Sequence, residues 1–242
     1  MNDVPEDAWY AIGGSSSLGP GDIQPVSLFG VERVAWRDND GASHVWQNRC
    51  IHRGMRLQYG FVDGNRLACR YHGWRFDGDG QCTHIPAHPD MTPPDDFRVP
   101  AAQSIETGGL IWTTTGAPDG PPPDLSAFPD LTFCRSVAVN CTPAGAEASL
   151  AQTEFTPFSG GEPDMKFSAR KIAPGIIAVE ASSGEALIIA VQPAEDAKTH
   201  LHILSAAKVP ASGVPALRRH FSAWAQQFRW KLENHRPDTE TA

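Results

Sequence analysis

The sequence is short of the features that mark several common protein classes. Its longest apolar run is ALIIAV (186–191), far below the roughly 20 residues of a membrane-spanning helix. The opening MNDVPEDAWYAIGG is acidic, with neither a basic leader nor an apolar stretch, so no secretory signal is expected. Lys and Arg form no stripe, and 28 acidic residues outnumber 20 basic ones for a net charge of -8, which argues against nucleic-acid binding. The glycines of GGSSSLGPG do not sit between a strand and a helix, so they read as a loop and not as a nucleotide-binding fingerprint. No Gly-x-Ser-x-Gly or Cys/His nucleophile arrangement occurs. Cysteine is sparse, at five residues. In the cytoplasmic chain these features imply, the thiols should be reduced or metal-bound and not disulfide-paired.

What is present is an ordinary globular composition, 40% apolar and 20% charged, over 242 residues. That length suits two small domains. Residues 9–114 read as short strands and tight turns, with hairpin signals at Asn39-Asp40-Gly41, at Asp63-Gly64 and across Asp77–Gly80. The pattern implies a small antiparallel barrel or sandwich. Five prolines in the fifteen residues of GAPDGPPPDLSAFPD mark an extended connector. Beyond it RSVAVNC reads as a strand, GAEASLAQTEF as a weak helix, and four apolar segments between 165 and 209 as successive strands. In the last segment Leu217, Phe221, Trp224, Phe228 and Leu232 form one apolar stripe of a long helix, with Pro215 near its start. The second half is therefore expected to be α+β, an antiparallel sheet with a C-terminal helix packed on it.

The chemistry-bearing residues are concentrated in RCIHRG (49–54) and ACRYHGW (68–74). Each Cys-His pair is expected at the tip of a hairpin, so that two loops converge on one site. Thiolate and imidazole together leave two possibilities. Cys50, His52, Cys69 and His72 could clamp one zinc ion. Alternatively, the two Cys could hold one iron of a [2Fe–2S] cluster and the two His the other. Cys82, Cys134 and Cys141 lack ligand spacing and read as small buried hydrophobes. His84 and His88 of HIPAHP read as polar loop residues.

CIHRG followed by CRYHGWRFDGDGQC resembles the cluster motif of the Rieske non-haem iron oxygenases, which hydroxylate aromatic rings or remove methyl groups. AWYAIG, Arg53-Gly54, Gly73-Trp74 and HIPAHP extend the resemblance. The two loops lack the additional cysteine pair of respiratory Rieske proteins. The resemblance implies an all-β Rieske domain over 1–115, a Pro-rich connector over 116–132, and a shortened, degenerate helix-grip α+β domain over 133–242. It implies a [2Fe–2S] cluster on Cys50, His52, Cys69 and His72, with Arg53 and Trp74 packed around it.

In the catalytic chains of that family a second domain binds one iron through D-x-x-H-x4-H and a later carboxylate. Laid against that pattern, VNCTPAGAEASLAQTEFTPFSGG offers Gln152 for the Asp, Phe155 for the first His and Gly160 for the second. No histidine occurs between His88 and His200. Phe and Gly carry no lone pair for a metal, so no mononuclear iron is expected, and Glu233 alone is one ligand of three. His200 and His202, two apart on a strand, could join Glu154 or Glu180 in an unconventional site; the competing reading has both at solvent or at a polar sheet edge. The implied function is an electron-transfer or companion subunit, fed by a reductase or ferredoxin. It would pass electrons to a catalytic oxygenase subunit in a trimer-based hetero-oligomer. The alternatives are a self-sufficient monooxygenase or demethylase, and a non-catalytic redox sensor or scaffold.

Overall fold

The computed structural model describes residues 8–118, 120–161 and 164–234. The first half contains eleven short strands: β1 (Tyr10–Gly14), β2 (Ile23–Leu28), β3 (Val31–Arg37), β4 (Ser43–Gln47), β5 (Phe61–Asp63), β6 (Arg66–Ala68), β7 (Arg75–Phe76), β8 (Cys82–His84), β9 (Ala101–Ala102), β10 (Ser104–Thr107) and β11 (Leu110–Thr113). They form three antiparallel sheets, ordered β1-β11-β10, β2-β3-β4-β9 and β5-β6-β7-β8. The three hairpin signals fall on the β3–β4, β5–β6 and β7–β8 turns. Trp36 and Trp46 meet edge to face at 4.8 Å, and Trp46 reaches Phe76 of the facing sheet at 6.4 Å. These rings fill the space between two sheets whose strands are too short to bury much by themselves.

Two sequence expectations need correction here. Cys69–His72 does cap a hairpin, between β6 and β7. Cys50–His52 does not, because β4 pairs with β3 and β9 while β5 pairs with β6. The first Cys-His pair lies instead in the crossover from one sheet to the next. His84, expected in a loop, is the last residue of β8, opposite Arg75.

The second half has β12 (Thr132–Val139), α1 (Pro143–Leu150), β13 (Phe167–Ala173), β14 (Ile176–Ala181), β15 (Ala186–Glu195), β16 (Lys198–Ser205) and α2 (Val214–Asn234). The strands make one antiparallel sheet ordered β12-β16-β15-β14-β13. The helix expected over GAEASLAQTEF starts earlier and stops at Leu150. Thr142 caps it through a hydrogen bond from Gly145 N–H at 3.2 Å, followed by Pro143 at the first helical position. Helix α2 buries Leu217, Phe221, Ala225 and Phe228 against one face of the sheet.

The other face of that sheet is not left to solvent. Ile176, Ala178, Ile188, Ala190 and Leu204 share a core with Ala11, Leu110 and Trp112 of the first half. Strand β15 is therefore covered on both sides and buried from Ala186 to Ala194, which explains its unbroken apolar run. Its far end also pairs with the β2–β3 turn: Phe29 N–H donates to Pro193 O at 3.0 Å and Gly30 N–H to Ala194 O at 2.6 Å. Among the described residues no helix is long and apolar enough to cross a membrane.

Candidate metal centre

The two Cys-His loops have the same backbone construction despite their different settings. Cys50 N–H donates to Met55 O at 2.8 Å, and Cys69 N–H donates to Trp74 O at 2.8 Å. Gly54 N–H returns to Cys50 O at 2.8 Å, and Gly73 N–H to Cys69 O at 2.9 Å. Each loop closes on a glycine with left-handed backbone, φ 68° at Gly54 and 70° at Gly73. A side chain there would be strained, which accounts for Gly four residues after each Cys.

These matched loops bring the four candidate ligands together as two like pairs. Cys50 and Cys69 are 3% and 2% exposed, within the core that holds Trp36, Trp46 and Phe76. Their thiols hydrogen-bond to each other. That bond holds Cys69 down to about 6, as the thiolate, and pushes the Cys50 thiol up, with burial adding to the rise. His52 and His72 sit outward, half-buried and exposed, with ring centroids 4.7 Å apart. Burial, then the charges of His72 and Arg53, lowers the pKa of His52 and favours its neutral, ligating form.

Among the described residues no three His, Cys, Asp or Glu side chains converge to hold a single metal ion. A tetrahedral zinc would need all four at one point. Two thiols on one side and two imidazoles on the other suit a two-iron centre with a different donor pair on each metal.

Trp74 stacks on His52 at 4.5 Å and 5°, and Phe97 stacks on Trp74 at 5.5 Å. Arg53 is exposed, with no side-chain hydrogen bond or ion pair among the described residues. Tyr71, which the sequence reading passed over, lies against His72 at 3.8 Å between centroids. Its place between the two ligands of one loop was the available signal. Phe97 had none, since it comes from a distant loop.

The residues laid against the second-domain iron ligands are Gln152, Phe155 and Gly160. Phe155 is buried against Phe167 and Phe221. Gln152 and Gly160 are exposed. Beside them lies a cavity of about 420 Å³ lined by Phe155, Phe167, Trp224, Phe228, Glu154 and Lys231, among others. Trp224 Nε1–H donates to Glu154 O at 2.9 Å, fixing the cavity wall to α2. Glu233 is held by Arg229 at 3.2 Å and accepts from Asn140 N–H at 2.9 Å. Glu180 pairs with Arg170.

The reading that put both His200 and His202 at solvent or at a polar edge is overturned for His202. That residue is 1% exposed, on the sheet face that meets the first half. Gln192 Nε2 donates to Ser27 O at 2.6 Å, so Gln192 Oε1 is left to accept from His202 Nε2–H at 2.8 Å. Ser136 O–H then donates to His202 Nδ1 at 2.7 Å. Burial, with the charge of His200 beside it, takes the His202 pKa down to about 3. With both nitrogens engaged, His202 has none to offer a metal. Cys82 and Cys134 are buried and Cys141 is half-buried; His88 is exposed.

The family model described as the Rieske [2Fe-2S] domain matches residues 8–102. The oxidoreductase NdmD of Pseudomonas putida is 40% identical over 141 residues, 58% of this chain and 24% of that protein. The 5,5'-dehydrodivanillate O-demethylase oxygenase subunit of Sphingobium is 30% identical over 164 residues, 64% of this chain and 39% of that protein. The chain thus spans well under half the length of these curated relatives. The structure of the QL mutant of Pseudomonas putida NdmA with theobromine superposes with a TM-score of 0.70 over 99% of this chain and 86% of that one, at 20% identity. That last likeness is one of fold. Residues 8–102 thus match the Rieske [2Fe-2S] domain, and the relatives of the chain include an O-demethylase oxygenase subunit.

Proposed function

We propose that this chain is an electron-transfer subunit of an oxygenase system, with its single redox centre held by Cys50, His52, Cys69 and His72. Residues 1–115 would carry that centre, and residues 133–242 would be a shortened oxygenase-like domain without mononuclear iron. When bound, a Rieske cluster accepts and releases one electron at a time, at a potential raised by its two neutral imidazole ligands. The residues present fit such a group. Cys50 and Cys69 meet inside the core and would hold the buried side. His52 and His72 would hold the outer side and leave their ring edges facing solvent. Trp74 keeps the His52 ring in one orientation by stacking on it, and Phe97 backs Trp74.

The observation that carries the reading is Phe155, a buried ring packed on Phe221 where the family pattern, laid on this sequence, would call for the first iron-binding histidine. It supports an electron destination outside the chain, on the iron of a catalytic oxygenase subunit, with a reductase or ferredoxin as the source. Two experiments test this. Cys69→Ser should abolish retained iron and sulfide. The unaltered chain, reduced by a reductase, should pass its electron to an added catalytic subunit and form no product alone. Product formation by the isolated chain with reductase would defeat the proposal.

The aromatic-lined cavity beside Phe155 favours a second reading, in which the chain binds a small aromatic or methylated compound and acts on it as a monooxygenase or demethylase. Substrate turnover by the chain without a catalytic partner distinguishes the two.

A further inference from the structure

Strand β3 carries two arginines on one face, in contrasting surroundings. Val31, Arg33, Ala35 and Arg37 alternate along it and so point to the same side of the sheet. Arg37 is 8% exposed and is matched by a carboxylate. Its Nη1 and Nη2 donate to Glu106 at 2.6 and 3.0 Å, and its Nε donates to Leu18 O at 2.5 Å. Arg33, four residues earlier, is half-buried and has no ion pair or side-chain hydrogen bond among the described residues. Its Nε is buried without a partner. Burial lowers its pKa: the cation has lost water and gained no counterion.

Register fixes what stands beside Arg33. Val26 of β2 and Gln47 of β4 are its direct cross-strand partners, so their side chains share its face. One step along that face, Ala35 and Val45 are buried in a core with Val26, Ile12 and Ile111. In the other direction the face opens into a cavity of about 680 Å³. Arg33 and Gln47 line it together with Val31, Pro100, Ala102 and Ala117. One wall is the segment 114–117, whose turn is held by Thr114 Oγ1 donating to Gly116 O at 2.6 Å. Glu32 and Arg49 also border the cavity, and they pair with each other at 3.0 Å. Among the described charged residues that line it, Arg33 is the one without a counterion.

A guanidinium fork beside apolar walls suits a carboxylate, which takes two parallel hydrogen bonds from it. We propose that this cavity binds a small organic carboxylate, which pairs with Arg33 as Glu106 pairs with Arg37 and lays its apolar body on Val31, Pro100 and Ala102. The inference goes beyond the electron-transfer reading and does not depend on it.

The test uses the cluster-loaded full chain and three probes: benzoate, its neutral isostere benzamide, and inorganic phosphate. Calorimetric titration reads affinity, and thermal melts read stabilisation. Expected is a single benzoate site with a Kd of about 5 mM or lower, a Tm that rises with benzoate, and benzamide and phosphate each weaker by about tenfold or more. Arg33→Gln should weaken benzoate binding by about tenfold or more. Ala117→Trp, at an exposed position of the wall, should weaken it with the charge intact, so the result does not hang on one variant. Benzamide or phosphate bound as tightly as benzoate, no saturable benzoate binding in that range, or either variant binding benzoate like the parent would overturn the site. None of these outcomes touches iron, sulfide or electron uptake, so the electron-transfer reading stands or falls separately.

Discussion

His202 sits 1% exposed between Ser136, which donates to its Nδ1, and Gln192, which accepts from its Nε2. Burial of the ring, which penalises its charged form, with the charge of His200 beside it, brings the pKa down to about 3. In the unfolded chain the same ring titrates near 6.5. The unfolded state therefore binds the proton first as pH drops. The stability contribution is complete above about pH 6.5 and is lost progressively toward pH 3. Between pH 7.5 and pH 5 the unfolding free energy should drop by about 2 kcal/mol on this account alone. His202→Gln should remove that part of the slope, as measured by denaturant titration at the two pH values; an unchanged slope would assign it to other groups. Nothing in THLHIL announced this burial. Alternation put both histidines on one face, but only the packing of the first half onto that face decides that it is dry. The one local hint was Gln192, a polar residue inside the otherwise apolar ALIIAVQP. The convergence of the two Cys-His loops was legible for the opposite reason: its information is local, in two short loops with matched spacing and a glycine at the end of each.

Among the elements, the two cluster loops share a backbone and differ in how tightly they are packed. A Cβ at Gly73 would come within 3.0 Å of Pro86 Cγ, whereas one at Gly54 would meet nothing within 4 Å. Both glycines have positive φ. Gly54→Ala should therefore cost about 1 kcal/mol, from backbone strain alone. Gly73→Ala should cost more and should also weaken cluster retention; thermal melts and iron content report the two effects, and equal costs would contradict this assignment. In α2 the stripe of Leu217, Phe221 and Phe228 was readable from periodicity and is buried as expected. Phe221→Ala should cost about 3–5 kcal/mol, since it leaves a cavity against Phe155 and the sheet. A loss under 1 kcal/mol would mean that the helix is not anchored there. The crossover carrying Cys50 escaped the sequence because the β4–β9 pair joins strands more than fifty residues apart. Local turn chemistry carries no trace of a partner that distant.

For the whole molecule, the sheet of the second half lies between helix α2 and the β1-β11-β10 sheet, and one apolar core crosses from half to half. The Gln192–Ser27 bond, the β15 contacts with Phe29 and Gly30, and Arg218 Nη2 donating to Ser16 Oγ at 3.2 Å add polar ties. Such a structure should unfold in one cooperative transition, with tryptophan fluorescence and far-ultraviolet dichroism changing together. Two separated transitions would show that the halves fold independently. The central claim is that the chain holds one redox centre and sends its electron to another protein. The most direct measurement is iron and acid-labile sulfide per chain on freshly purified protein, followed by reduction under air with a reductase and no catalytic subunit. The expected result is about two irons and two sulfides per chain, the composition of one cluster, with uptake of a single electron and no substrate oxidation. A third iron that reacts with oxygen and yields an oxidised product would contradict it.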